Sequence, residues 1–120
     1  MDFTVESDEI LSHEHHVLRR MRYAISGSDG KKLTVMREVF ERGEASAILL
    51  HHTGRGTLIF VRQFRLPVAL WGEDGMMLEV AAGGLDASET PLDAALRECR
   101  EETGYDPRSA SLVCVMHPSP

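Results

Sequence analysis

The residues whose types and spacing could do chemistry lie near the end of the chain, in Arg97-Glu98-Cys99-Arg100-Glu101-Glu102. On a helix, positions three and four apart are neighbours, so Glu98, Glu101 and Glu102 converge over about one turn. Helix electrostatics would not choose this, because like charges at that spacing repel and acids are disfavoured toward a helix C-terminus. Something positive must offset the repulsion. Arg97 is four residues from Glu101 and can neutralise or orient one carboxylate. A hard divalent cation suits the others, since Mg²⁺ takes oxygen ligands and keeps waters with which it can meet a phosphate. Taken alone, the helix reads first as a solvated charged face, and it is the frame of residues around it that favours the cation.

The elements that must position these groups follow from the flanking sequence. Thr90 can cap a helix, Pro91 is tolerated at its first position, Asp93 favours the positive end of the dipole, and Gly104 is a stop signal. Leu92, Leu96, Cys99 and Thr103 recur at helical spacing and are expected to face the core, with Glu98 and Glu102 turned away from that side. Upstream the period is that of strands. Residues 14–24 and 32–40 read as a hairpin about the turn 26–30, and 45–51 and 57–63 as a second hairpin about Thr53-Gly54-Arg55-Gly56. A loop at 71–75, a strand over 76–82 and a loop at Gly83-Gly84-Leu85-Asp86 lead to the helix. A last strand is expected over 111–116, before His117-Pro118-Ser119-Pro120. Strands, one strong helix and a strand suggest an α+β fold or a mixed-sheet sandwich.

Composition narrows the function classes. The chain has 120 residues, enough for one domain, and a net charge of −6, which disfavours a nucleic-acid partner that would rely on counterion release. No run approaches the length of a membrane helix, and the acidic start lacks the pattern of a signal peptide, so a cytoplasmic protein is expected. Cys99 and Cys114 form no CxxC pair and sit in apolar patterns, which reads as two buried thiols rather than a zinc site or disulfide. His13-Glu14-His15-His16 does not have the HExxH spacing of a zinc motif. Trp71 is open to two roles, stacking on a base or packing in its loop. Arg62 and Arg65 point to opposite faces of a regular strand. The methionines read mostly as core filler.

From Gly83 to Tyr105 the chain carries Gly83, Glu89, Arg97, Glu98, Glu101, Glu102 and Gly104, seven fixed positions across 23 residues. In type and spacing these resemble the Nudix hydrolase signature, with Cys99 and Tyr105 where it asks for aliphatic residues. Three further segments, Arg37-Glu38-Val39-Phe40-Glu41-Arg42-Gly43, Val61-Arg62-Gln63-Phe64-Arg65 and Leu78-Glu79-Val80-Ala81-Ala82-Gly83, resemble the nucleoside-diphosphate-sugar branch of that family, the GDP-mannose and ADP-ribose pyrophosphatases. The Trp71-Gly72-Glu73-Asp74-Gly75 insertion is closer to the GDP-mannose members. The resemblance covers residues 9 to 120.

The resemblance implies a Nudix fold, a mixed β-sheet sandwich with the signature loop and helix. It implies Mg²⁺, or Mn²⁺ in its place, on Glu98, Glu102, Glu101 and the carbonyl of Ala82. Arg97 would orient the glutamates, so that Arg97, Glu98, Glu101 and Glu102 form the catalytic set. Glu89 would be partly structural. Arg37, Glu38, Arg65, Gly83, Gly84 and His15 would contact substrate. The implied reaction is hydrolysis of the pyrophosphate of a nucleotide sugar, GDP-mannose or ADP-ribose. A nucleotide-sugar binding module without catalysis and a general nucleotide-pool hydrolase are the alternatives. The expected organisation is one domain over 1–120, with an N-terminal strand hairpin over 1–42 that serves a homodimer and substrate contact, and a Nudix core over 43–120. Members of the family run on past a Ser-Pro such as Ser119-Pro120, so a chain truncated at its C-terminal end is expected.

Overall fold

A computed structural model describes residues 2–117, so Pro118, Ser119 and Pro120 lie outside the described residues. The chain divides into two compact units, Met1–Gly43 and Glu44–Pro120. Seven of the thirteen basic residues and eight of the nineteen acidic ones fall in the first unit, which leaves six bases against eleven acids from Glu44 onward.

The first unit is an antiparallel meander of β1 (Asp2–His13), β2 (Val17–Ser26) and β3 (Lys32–Glu41). The second and third strands are those expected, displaced by a few residues. The first was not legible, because its apolar residues are interleaved with Glu6, Asp8 and Glu9 and two register shifts, at Val5/Ser7 and Ile10/Ser12, break its period. Those acids find their partners across the sheet. Arg19 pairs with Asp8 at 2.6 Å and Glu41 at 3.1 Å, Arg20 with Glu9 at 3.4 Å and Glu38 at 3.6 Å, and Arg22 with Glu6 at 3.0 Å. Glu41 and Asp8 hold the Arg19 guanidinium further above its ordinary range. The register places Phe3, Ile25 and Leu33, then Val5, Tyr23 and Val35, side by side on one face.

In the second unit three apolar runs each break at one residue, where the chain changes partner. The first run is β4 (Ala45–Ile48) and β5 (Leu50–His52), split at Leu49. The second is β6 (Thr57–Ile59) and β7 (Val61–Phe64), split at Phe60. The third is β8 (Met76–Glu79) and β9 (Ala81–Gly84), split at Val80. The pairs are β5 with β6 about the expected tight turn, β7 with β8, and β4 with β9, all antiparallel. Between β7 and β8 lies a five-residue helix, α1 (Leu66–Leu70), with Pro67 in its first turn. The long helix α2 (Pro91–Thr103) packs on β4 and β9. The core is small: among the described residues Leu50, Ala81, Ala94, Ala95 and Cys99 are the buried apolar ones.

Three expectations are corrected. Residues 111–116 form no strand, since a strand needs a ladder partner and none of the described residues pairs with them. Val113 is accordingly 91% exposed, and Cys114 is an exposed thiol while Cys99 alone is buried. Met36, Met77 and Met116 are exposed rather than core filler.

Candidate functional site

Helix α2 begins and ends where its sequence directs. The Thr90 side chain accepts from the Asp93 N–H at 3.2 Å. Gly104 takes a left-handed φ of 73° that lets its N–H reach the Arg100 carbonyl at 3.0 Å. The face presented to the sheet differs from the expected one. Leu92 is exposed and Leu96 only half-buried, whereas Ala94, Ala95 and Cys99 are buried. At about 100° per residue Glu98 and Glu102 fall between these three small residues. The carboxylates are therefore in the middle of the packing face, not turned away from it. Small side chains around them let the helix come close enough to β9 for the carboxylates to reach its backbone.

The Glu98 carboxylate lies against the α-carbon of Gly83, and a β-carbon at that position would overlap it. Glu102 reaches the preceding residue, where its Oε2 accepts from the Ala82 N–H at 3.2 Å. Its Oε1 accepts from Nε2 of Gln63 on β7. Two carboxylates from one helix face thus meet consecutive residues of one strand.

Arg97 ties the helix to the loop before it. Its Nη1 donates to Glu98 at 2.6 Å and to Glu101 at 3.3 Å, and its Nη2 to the Gly84 carbonyl at 2.9 Å. Nε and Nη2 hold Glu89 in a fork, at 3.0 and 2.9 Å. Glu89 also accepts from the Asp86 N–H at 3.0 Å. The Arg97 guanidinium, with the Asp86 N–H second, keeps the Glu89 carboxyl below its ordinary value, and Glu89 and then Glu98 raise Arg97. Arg97 thus acts mainly on Glu89 and Glu98. Glu101, whose side chain is 60% exposed, receives the longest of its hydrogen bonds.

Among the described residues no three His, Cys, Asp or Glu side chains stand together as a ready metal cluster. The chemistry of the donors nevertheless fits a hard cation. Glu98, Glu101, Glu102 and the Ala82 carbonyl offer only oxygen, and the first and third carboxylates converge on β9. Beside Glu102 an open cleft of about 310 Å³ is bounded by Phe60, Val61, Arg62, Gln63, Thr103 and Tyr105 among others.

Gly83 and Gly84, expected in a loop, are the last residues of β9 and pair with Ser46 and Ala45. The loop starts at Leu85. Arg65 follows the end of β7, and its Nε donates to Glu79 at 2.8 Å. Arg37, Glu38 and His15 belong to the first unit. There Glu38 pairs with Arg20, Arg37 donates to the Met36 carbonyl at 2.9 Å, and His15 sits in the turn between β1 and β2, its ring 4.5 Å from that of His16. Trp71 is 89% exposed. Gln63 is the site residue that sequence reasoning passed over. Its signal was a polar side chain on the same face as Val61 in an apolar strand, which demands a partner.

The model of the NUDIX domain matches residues 40–118. The chain belongs to the Nudix family. Similar curated proteins include the GDP-mannose pyrophosphatase of Salmonella arizonae, 38% identical over 99% of this chain and 62% of the relative. That of Cronobacter sakazakii is 38% identical over 100% and 64%, and that of Klebsiella pneumoniae 40% identical over 88% and 54%. The chain thus spans about three fifths of the length of the curated relatives it matches. A solved ADP compounds hydrolase, 20% identical, aligns over 91% of this chain and 55% of its own with a TM-score of 0.60, and that likeness establishes the Nudix fold. No helix among the described residues is long and apolar enough to cross a membrane.

Proposed function

We propose that this protein is a metal-dependent hydrolase that cleaves the pyrophosphate of a nucleoside diphosphate sugar, GDP-mannose before ADP-ribose, into a nucleoside monophosphate and a sugar phosphate. The observation that carries the reading is the pair of carboxylates, Glu98 and Glu102, delivered by one helix face to adjacent residues of β9. The relatives' activity supplies the substrate class. The cation, Mg²⁺ or Mn²⁺, would be held by Glu98, Glu102, Glu101 and the Ala82 carbonyl. When bound it supplies charge neutralisation at the phosphates and a lower pKa for a coordinated water.

The chain's own residues do the rest. Arg97 fixes the Glu98 carboxylate and, through Gly84 and Glu89, the loop that leads into the helix. Gly83 makes room for the Glu98 carboxylate, and Gly84, with no side chain, leaves its backbone open to the phosphates; both would meet substrate beside the bound cation. Arg65 and Arg37 supply forked donors for phosphate oxygens, with Glu38 and His15 contacting the remainder of the substrate. In this reading residues 1–120 act as one Nudix domain, in a cytoplasmic homodimer joined through the N-terminal strands.

The test is a panel of nucleotide sugars and nucleoside triphosphates incubated with and without Mg²⁺, with nucleoside monophosphate release followed. Release from GDP-mannose only with metal, reduced by orders of magnitude in Glu102→Gln, is the expected result. Binding without release makes the protein a nucleotide-sugar binding module. Release confined to triphosphates makes it a nucleotide-pool hydrolase.

A further inference from the structure

We infer that Gln63 is a positioning residue for Glu102, a donor without charge that aims this carboxylate while leaving its negative charge for a cation. The inference rests on the reading of Glu102 as a metal-holding group. Each oxygen of Glu102 has one protein donor: Oε1 has Gln63 Nε2, and Oε2 has the Ala82 N–H at 3.2 Å. A carboxylate only accepts, so the Gln63 amide must present its NH₂ to it. Neither donor carries a charge, unlike Arg97, which holds Glu98 at 2.6 Å. The two main carboxylates are thus held in different ways. Glu98 is steered by a cation of the protein, and Glu102 by dipoles that fix its plane without cancelling its charge. The donors come from β7 and β9, strands of two different ladders, so the carboxylate is set by these strands rather than by its own helix. Gln63 is anchored for this task, since its strand pairs it with Met77 of β8. Partners that orient a ligating carboxylate in this way are worth about 10- to 100-fold in metal affinity.

The test is a Mn²⁺ titration of the 120-residue chain followed by electron paramagnetic resonance, without substrate. Gln63→Met keeps the length of the side chain and removes the N–H, and Gln63→Leu removes it with a different shape. Both should weaken Mn²⁺ binding by about 10- to 100-fold while melting as the parent does. Turnover of GDP-mannose by these variants should recover as Mn²⁺ is raised, whereas that of Glu102→Gln should not. A packing role would not respond to metal. Parent-like Mn²⁺ affinity in both Gln63 variants, or a turnover defect that excess Mn²⁺ does not relieve, overturns the inference and leaves the reading of Glu102 standing. Equal Mn²⁺ affinity in the parent and Glu102→Gln instead removes Glu102 from the metal site, and the inference falls with it.

Discussion

Glu98 and Gly83 are a matched pair: the carboxylate occupies the volume that a methyl group would need. Because the group displaced would be the far end of a flexible side chain, Gly83→Ala should fold. It should nonetheless lower turnover by about 10- to 100-fold through the shifted carboxylate, and a thermal melt beside a steady-state assay would separate the two effects. Glu89 offers a test by pH. Its carboxyl is held below the ordinary 4.5 chiefly by Arg97. A lowered native value stabilises the fold fully above 4.5, and the contribution is lost as the pH falls through that native value. In urea unfolding, Glu89→Gln should therefore trail the parent by a constant amount above pH 4.5 and converge with it at lower pH.

At the scale of the element, α2 is bounded by signals that act locally. Thr90→Ala removes the acceptor for the Asp93 N–H and should cost about 1 kcal/mol in denaturant unfolding. Gly104→Ala puts a β-carbon on a left-handed residue and should cost about 1 kcal/mol or slightly more. Such caps are why the bounds of this helix were legible in the sequence. Its orientation was not. Leu92 and Leu96 have the larger apolar side chains, yet Ala94, Ala95 and Cys99 are buried, because close approach of the helix to β9 favours small volume over hydrophobicity. The site divides in the same way. The carboxylates and Arg97 were readable from their spacing, while Gln63 became visible only when β7 was placed beside the helix. The partner changes at Leu49 and Phe60 left no mark in the sequence, since each falls inside a continuous apolar run, and Val80 stands in a run interrupted only by Glu79, which reads as ordinary strand alternation.

At the scale of the whole molecule, the first unit carries a row of apolar side chains, with Phe3 at 70% exposure among them. If the protein is the proposed homodimer and joins through this face, Phe3→Asp should leave the secondary structure unchanged and halve the mass measured by light scattering. Charge is divided unevenly along the chain. The first unit holds seven bases against eight acids and is close to neutral, with Arg19 and Arg20 clasped by carboxylates on both neighbouring strands. The excess of acid therefore resides almost wholly in the unit that contains α2. An anionic ligand approaching that unit in a chelating buffer meets a repulsive potential, which dissolved electrolyte shields over about 10 Å at 0.1 M. Sodium chloride should then tighten the association of a nucleotide when divalent ions are withheld, the reverse of its usual effect on phosphate binding. With magnesium in excess, the same addition of electrolyte should loosen it.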